Sequence, residues 1–286
     1  MGFLLAVLSA LLNTTKDLLS KRLASLVDGT TSTFASFAYA LPFYALLLAC
    51  LYFAGFEVVT FSKQFALLVL LRSLSDAGAE WTKMQALACG EISLIAPFLS
   101  LAPLFLLFFS PLITGDPLTL SGVIAIALSV AGSAVLLWRP VKPHGQQAVR
   151  GIFLALGASF FFALNTCFDR LTVQIASPVF SGFMMTIVAA IFFLPTVCLR
   201  GARVKALSIA WLPLIGRGAL EVAYMVTKLI ALTYFQAPYV MAVGRLSLVF
   251  SIVGGHLLFK EGDFQRRIIA GILIVGGALV VMLWHN

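Results

Sequence analysis

The sequence predicts an all-α membrane protein in which ten transmembrane helices form two inverted five-helix repeats. Three observations predict this fold class. Of the 286 residues, 61% are hydrophobic and 10% are charged, with a mean hydropathy of +1.06, whereas a soluble domain carries about 25% charged residues. The apolar residues form ten runs of roughly the 20 residues that cross a bilayer. Two of the runs carry charges in the same order, which indicates an internal duplication.

Composition also excludes several classes of function. The net charge of +8 comes largely from lysines and arginines in short connectors, as expected of loops facing an anionic cytoplasmic surface, so it does not indicate nucleic-acid binding. The four cysteines and three histidines are scattered, and no CxxC or HExxH occurs, so we expect no metal site and no cofactor. We also expect no enzyme, because neither a nucleophile–base pair nor a phosphate-binding glycine loop is recognisable.

The ten predicted helices follow one another closely. They cover residues 2–21, 32–54, 65–88, 91–113, 118–138, 151–172, 178–199, 210–234, 238–258 and 266–284. The most polar stretch, RPVKPHGQQAVR (139–150), contains two prolines and a glycine and is typical of a linker. It separates a first repeat (1–138) from a second (151–286), with five helices in each.

Prolines and glycines mark two of these helices. Helix four contains Pro97, Pro103 and Pro111. Proline frees backbone carbonyls and bends a helix, which suits either a gate or simple adaptation of packing. Helix ten contains Gly271, Gly276 and Gly277, which permit close helix approach and are compatible with a homodimer seam.

Helices three and eight carry the duplicated charges. RSLSDAGAEWTK (72–83) and RGALEVAYMVTK (217–228) have Arg, acid, Thr and Lys at matching places, each 145 positions apart. Arg72, Asp76, Glu80 and Lys83 share one helical face, as do Arg217, Glu221, Tyr224 and Lys228. A charge near the bilayer centre costs about 2.5–3.5 kcal/mol on insertion scales. These charges therefore need internal partners and indicate a polar pathway.

The first helix of each half is duplicated too. LNTTKDLLSKRLAS (12–25) matches LNTCFDRLTVQIAS (164–177) at seven positions, each 152 residues apart. Because each half has an odd number of helices, the second half enters the membrane upside down relative to the first. Such inverted repeats are typical of secondary transporters.

Several longer stretches resemble the drug/metabolite transporter superfamily, and more narrowly its EamA-type members. They are TKMQALACGEISLIAPFLSLAPLF (82–105), SPLITGDPLTLSGVIAIALSVAGSAVLL (110–137), TKLIALTYFQAPYVMAVGRLSLVF (227–250) and LLFKEGDFQRRIIAGILIVGGALVVM (257–282). Glu261 matches the acidic residue that the family places after the fourth helix of a repeat, whereas Gly115-Asp116 replaces the usual Gly-Glu. The resemblance implies a carrier with a central cavity lined by the first four helices of each repeat. It does not name the substrate.

The acidic candidates are Asp76 and Glu221, near the middle of helices three and eight. A central carboxylate binds a cationic substrate or takes up a coupling proton. The alternative is a structural ion pair, since Arg72 and Arg217 lie one turn earlier on the same helices. Glu80 is placed to pair with Lys83 three residues later.

The remaining candidates are basic, polar or aromatic. Lys83, Lys228 and Arg245 suit a carboxylate or phosphate, although the lysines lie near enough to their helix ends to snorkel instead. Lys228 has no acidic residue one turn away on its own helix. Asn13, Lys16 and Asp17 form a polar stripe on helix one, and Asn165 and Asp169 repeat it on helix six, where Phe168 replaces the lysine. The two asparagines bind substrate or bridge helices. Trp81 stacks on a substrate or packs in the core.

We therefore expect a secondary transporter of a small polar metabolite, anionic or zwitterionic, that uses exchange or ion coupling. The alternatives are an exporter of amino acids or cationic compounds and a membrane assembly or structural protein that transports nothing. The expected partners are the lipid bilayer, a small-molecule substrate and a second copy of the chain, and the expected location is the bacterial inner membrane. The basic loops place both termini outside the cytoplasm, whereas the family resemblance suggests cytoplasmic termini.

Overall fold

The computed structural model describes eight stretches of the chain, and the structural statements below refer to them. They are residues 1–23, 29–56, 60–89, 98–117, 119–137, 145–198, 211–250 and 264–284. The predictions that concern Pro97, Glu261 and linker residues 139–144 lie outside the described residues.

Helices make up nearly all of the described chain, and no strand occurs in it. In order they are α1 (Gly2–Leu23), α2 (Gly29–Phe53), α3 (Lys63–Cys89), α4 (Ala102–Phe109), α5 (Leu120–Leu137), α6 (Gly145–Ile175), α7 (Pro178–Cys198), α8 (Trp211–Tyr234), α9 (Ala237–Gly244) and α10 (Phe264–Trp284). The all-α prediction is confirmed. A helix satisfies its backbone N–H and C=O groups within one segment, as a lipid environment requires.

Within the described residues, three stretches are long and apolar enough to cross a membrane. They are Phe34–Phe53 in α2, Val149–Ile175 in α6 and Pro178–Pro195 in α7. Shorter apolar stretches occur in α1, α4, α5, α9 and α10. The charged helices α3 and α8 are in neither group. A membrane crossing by all ten helices stays a prediction.

The start of α6 differs from the sequence prediction. The helix begins at Gly145, so residues 145–150 of the predicted linker are helical. Glutamine, alanine and arginine have good helix propensities, and this polar turn extends the helix beyond its apolar run.

Proline interrupts the predicted fourth helix. The chain turns at residues 100–101, and α4 begins with Pro103 in its first turn. Proline has no backbone N–H, and its ring clashes with the carbonyl four residues earlier, so a regular helix cannot continue through it. Pro111 lies in the π-helical turn Ser110–Thr114 that follows α4, where a wider turn accommodates the missing hydrogen bond.

The predicted ninth helix is interrupted too, although no proline lies at its interruption. Leu101 and Leu104 each donate a backbone N–H to the carbonyl three residues earlier, at 3.2 and 2.9 Å. Arg245 and Leu248, 144 positions further on, make the same two bonds at the same distances. Both interruptions are therefore short stretches of 3₁₀-type turn, one residue away from matching places in the two repeats, which align at an offset of 145.

The chain divides into two compact units. Unit 1 contains Met1–Ser73 and Leu171–Tyr234, and unit 2 contains Leu74–Arg170 and Phe235–Asn286. In unit 1, α8 packs against α1, α2 and α7, and α2 packs against α7. The α8–α2 contact is so close that a Cβ atom at Gly218 would lie 2.6 Å from the carbonyl carbon of Tyr39. Phe65, at the start of α3, stacks on Phe180 of α7 with ring centroids 5.2 Å apart.

Unit 2 is built around the packing of α10 along α5, and α9 contacts α4, α5 and α10. Glycines allow the α5–α10 contact. A Cβ atom at Gly132 would lie 2.6 Å from Ile274 Cγ1, and one at Gly277 would lie 2.7 Å from the carbonyl oxygen of Ala125. Gly277 thus allows close packing between two helices of the same chain. The homodimer that its helix was also compatible with stays a prediction.

We expect Gly277→Ala to destabilise the protein by about 1–3 kcal/mol, because the added methyl group overpacks the α5–α10 contact. Gly276→Ala is the matched control: its Cβ comes no closer than 3.9 Å to Leu128, and it gains the same helix propensity. Thermal unfolding of the two purified variants in detergent measures the difference. Equal melting temperatures would show that the α5–α10 distance does not depend on Gly277.

Candidate functional site

A buried ion pair joins α1 to α8 in unit 1. Lys16 Nζ lies 3.2 Å from Glu221 Oε2, and the two side chains are only 15% and 10% exposed. The same ammonium lies over the ring of Tyr224, 4.3 Å from its centroid. Aromatic faces attract cations, so the ring and the carboxylate both hold the Lys16 ammonium.

These contacts orient the polar face of α8. Lys16 touches both Glu221 and Tyr224, so the face that carries them turns toward α1. Arg217 and Lys228 lie on this face by their spacing, one turn before Glu221 and one turn after Tyr224. The predicted polar face of helix eight is thus directed at a neighbouring helix.

A second buried acid joins α3 to α6 in unit 2. Asn165 Nδ2 donates a hydrogen bond of 2.9 Å to Asp76 Oδ1. The neighbouring residue of Asp76, Ser75, donates its Oγ hydroxyl to the carbonyl oxygen of Phe161, one turn before Asn165, at 3.0 Å. Asn165 therefore bridges two helices, as one of the two interpretations of this residue predicts.

Glu221 and Asp76 occupy matching positions of the two repeats. Each of them contacts a residue on the first helix of the opposite half. Glu221 belongs to the second half, and its partner Lys16 lies on the first helix of the first half. Asp76 belongs to the first half, and its partner Asn165 lies on the first helix of the second half. These two contacts differ in kind, because Lys16 offers Glu221 an ammonium and Asn165 offers Asp76 a neutral amide.

The local pair on α3 forms as its spacing predicts. Lys83 Nζ contacts Glu80 Oε1 at 3.0 Å, but these side chains are 34% and 19% exposed, more than the Lys16–Glu221 pair. Trp81, between them, is 62% exposed. Core packing within the chain therefore does not explain Trp81.

Arg245 lies at the interruption that follows α9. Its Nε atom is buried without a hydrogen-bond partner, and its side chain has no hydrogen bond or ion pair with any residue in the described chain. The residue as a whole is partly exposed. A guanidinium carries five donors and a permanent charge, so this one is available to an anion.

A third acid–base pair, in unit 2, is one that the sequence did not predict. Arg170 Nη2 of α6 lies 3.5 Å from Asp116 Oδ1, and Asp116 Oδ2 accepts a 3.4 Å hydrogen bond from the backbone N–H of Ala237 at the start of α9. The carboxylate thus links α6 to α9 within unit 2. A basic residue inside the apolar run of helix six was the available signal for Arg170.

The other predicted site residues are placed as follows. Arg72 and Asp169 are buried, Asn13, Arg217 and Lys228 are partly buried, and Asp17 lies on α1 with its side chain outside the described part. They lie on the helices to which the sequence assigned them.

Apolar helices that hold acids and bases in buried contacts with one another are typical of helical membrane proteins. Residues 149–283 match the family described as EamA-like transporter family. The match covers the second predicted repeat, and over these residues the predicted resemblance to the drug/metabolite transporter superfamily is confirmed. Members of the family are integral membrane transporters and not enzymes.

The fold has a solved relative. One protein, described only as a crystal structure of a protein, is 19% identical with a TM-score of 0.76, and the match covers 99% of this chain and 96% of that one. At this identity the likeness shows the fold alone. No curated protein matches the chain.

We expect Lys16→Met to destabilise the protein by about 3–5 kcal/mol, because it removes one partner of a buried pair and leaves the Glu221 charge. Lys16→Met combined with Glu221→Gln removes both charges and should recover most of this loss. Lys63→Met, at the exposed start of α3, is the matched control and should change stability by less than about 0.5 kcal/mol. Thermal unfolding in detergent measures all three. A double variant no more stable than Lys16→Met would contradict the pairing.

Proposed function

We propose that this protein is a secondary transporter that moves a small polar metabolite, anionic or zwitterionic, across the bacterial inner membrane. It works by alternating access of two inverted five-helix repeats, residues 1–138 and 151–286, joined by the linker 139–150. The energy comes from exchange or from ion coupling, since the sequence contains no phosphate-binding loop of an ATP-driven motor.

Packing within the units supports the repeat. A pseudo-two-fold axis would exchange each helix of the first half with the helix five places later. The pairs α2–α7 and α5–α10 would then be transformed into themselves. Both pairs pack together. The α1–α8 pair then maps onto α6–α3, and contacts join both pairs, through Glu221 in unit 1 and Asp76 in unit 2. The matching interruptions at Leu101 and Arg245 add local support.

The anionic or zwitterionic character of the substrate rests on Arg245. In transporters with repeats, substrate sites form where helices are interrupted at corresponding places in the two halves. Arg245 lies at such an interruption with a buried Nε atom and, in the described chain, no counter-ion. An intramembrane arginine without a protein partner is expensive to keep, and a substrate carboxylate or phosphate would compensate this cost.

Two other functions remain as alternatives. An exporter of amino acids or cationic compounds is favoured by the buried Oδ1 acceptor of Asn165. A membrane assembly or structural protein requires each buried charge to be compensated within the fold, and Arg245 argues against it.

We expect Arg245→Gln to lower transport at least tenfold while the protein still folds, because glutamine keeps hydrogen-bonding groups but removes the charge. Proteoliposomes preloaded with an unlabelled mixture of amino acids, dicarboxylates and sugar phosphates, and supplied with each labelled compound in turn, measure exchange. Arg150→Gln, at an exposed position of α6, is the control. Exchange of cations alone, or full activity of Arg245→Gln, would contradict the proposed substrate charge.

We expect Lys228→Met to abolish exchange of the same compounds without unfolding the protein. Lys228 lies on the face of α8 that turns toward α1, and methionine keeps its length while removing the charge. Lys63→Met is the control for loss of a lysine charge. Normal exchange by Lys228→Met would show that Lys228 only anchors the helix.

A further inference from the structure

The short helix α9 depends on its neighbours for its direction. It has eight residues, Ala237–Gly244, and the residue before it, Gln236, is extended and makes no side-chain cap. After it, Arg245 donates its backbone N–H to Ala242, three residues earlier, in the 3₁₀-type interruption. The regular helix thus stops on both sides. A helix of this length is not stable by itself, so contacts with other segments have to hold it in place.

Two such contacts hold the ends of α9, and both come from the first half of the sequence. At the beginning, Asp116 Oδ2 accepts the backbone N–H of Ala237 at 3.4 Å. A carboxylate is favourable there, because the first N–H groups of a helix lack partners within it. In the last turn, Ser129 Oγ of α5 donates to the carbonyl oxygen of Ala242 at 3.4 Å. The same carbonyl oxygen accepts the N–H of Arg245, so α5 contacts the turn that carries the arginine.

Between these two ends, three hydroxyl groups form a closed ring. Ser121 Oγ donates to Thr119 Oγ1 at 3.2 Å, Tyr239 Oη and Ser121 Oγ lie 3.0 Å apart, and Tyr239 Oη also hydrogen bonds to Thr119 Oγ1. A hydroxyl has one proton to donate. Because Ser121 gives its proton to Thr119, Tyr239 donates to Ser121 and accepts from Thr119. Each hydroxyl thus donates once and accepts once within the ring, and such networks rigidify the side chains that form them.

This ring is attached to the beginning of α5. Thr119 precedes the helix, and its Oγ1 accepts the backbone N–H of Gly122 at 3.2 Å, as an N-cap residue does. Tyr239 is 2% exposed, and its aromatic ring lies close to the same turn, since a Cβ atom at Gly122 would be 3.5 Å from Tyr239 Cε1. The side chain of Tyr239 therefore joins α9 to the capped end of α5.

Arg245 follows Tyr239 by six residues, about 9 Å along a helix axis. From these contacts we infer that Tyr239 is a positioning residue: its hydroxyl ring with Thr119 and Ser121 sets the orientation of α9 and thereby the place of the Arg245 guanidinium. The inference rests on the proposed function, in which Arg245 binds the substrate anion, and it adds the group that holds the arginine in place. Misplacing a substrate-binding group by about 1 Å is enough to cost about 100-fold in rate.

Tyr239→Phe removes the hydroxyl and keeps the aromatic ring. We expect the KM for exchange of the dicarboxylate or sugar phosphate that the wild type accepts to rise at least about fivefold, with kcat changed by less than about twofold, because Arg245 keeps its charge but loses its place. Tyr52→Phe, at a 57% exposed position near the end of α2, is the matched control and should keep the wild-type KM. A tyrosine that only stabilised the fold would lower the amount of folded protein and leave the KM unchanged.

Two further comparisons separate positioning from a general loss of structure. Thr119→Val removes another hydroxyl of the ring and should raise the KM as Tyr239→Phe does, whereas Thr119→Ser keeps the hydroxyl and should restore the wild-type value. In an Arg245→Gln background, Tyr239→Phe should change the KM no further, because residues that act through one another are not additive. A wild-type KM for Tyr239→Phe, or an equal rise with and without Arg245, overturns the inference.

A spin label reports the orientation of α9 without any transport measurement. Gly244→Cys, in a background where the four native cysteines are replaced, carries a nitroxide next to Arg245, and a Cβ atom at Gly244 has no atom within 4 Å. We expect electron paramagnetic resonance to show a more mobile label in Tyr239→Phe than in Tyr52→Phe. Equal mobility overturns the inference, even where exchange is normal. A label that depends on Tyr239 in a protein that exchanges none of the probes supports the positioning of α9 and overturns the proposed transport function.

Discussion

A charge among apolar helices has to be compensated by a partner, and this constraint governs how the polar residues of the chain are arranged. The Lys16–Glu221 ion pair meets it in unit 1 with the help of the Tyr224 ring. In unit 2 a neutral amide on α6 serves the Asp76 carboxylate. Each acid thus fixes a contact between two helices that belong to different halves of the sequence. The same contacts decide which polar atoms are already used and which stay available to a ligand.

The atoms that stay available are informative because they are opposite in character. Arg245 offers donors and a positive charge, and Asn165 Oδ1 offers an acceptor beside a carboxylate. Arg245 lies at an interrupted helix, where backbone geometry already departs from a regular α-helix. The two halves differ at equivalent positions, such as Lys16 and Phe168. This divergence after duplication explains why polar atoms are paired differently in the two halves.

Local sequence patterns predicted the features that lie within a single helix, namely helix positions and pairs one turn apart. The apolar runs located the helices, and the i, i+3 spacing predicted the Glu80–Lys83 pair. Pairs between distant segments, such as Lys16–Glu221, were not predictable, because a single sequence does not say which helices are neighbours. The interruption at Arg245 was missed because no proline marks it, and the helical residues 145–150 were missed because their polarity resembles that of a loop.

Disulfide cross-linking tests the reciprocal pairing of the two acids most directly. In a background where the four native cysteines are replaced, K16C/E221C and N165C/D76C join each acid position to the first helix of the opposite half. We expect both pairs to form cross-links on mild oxidation in membranes. If both resist oxidation, while K16C/D76C and N165C/E221C cross-link instead, each acid takes its partner from its own half, which would contradict the reciprocal pairing.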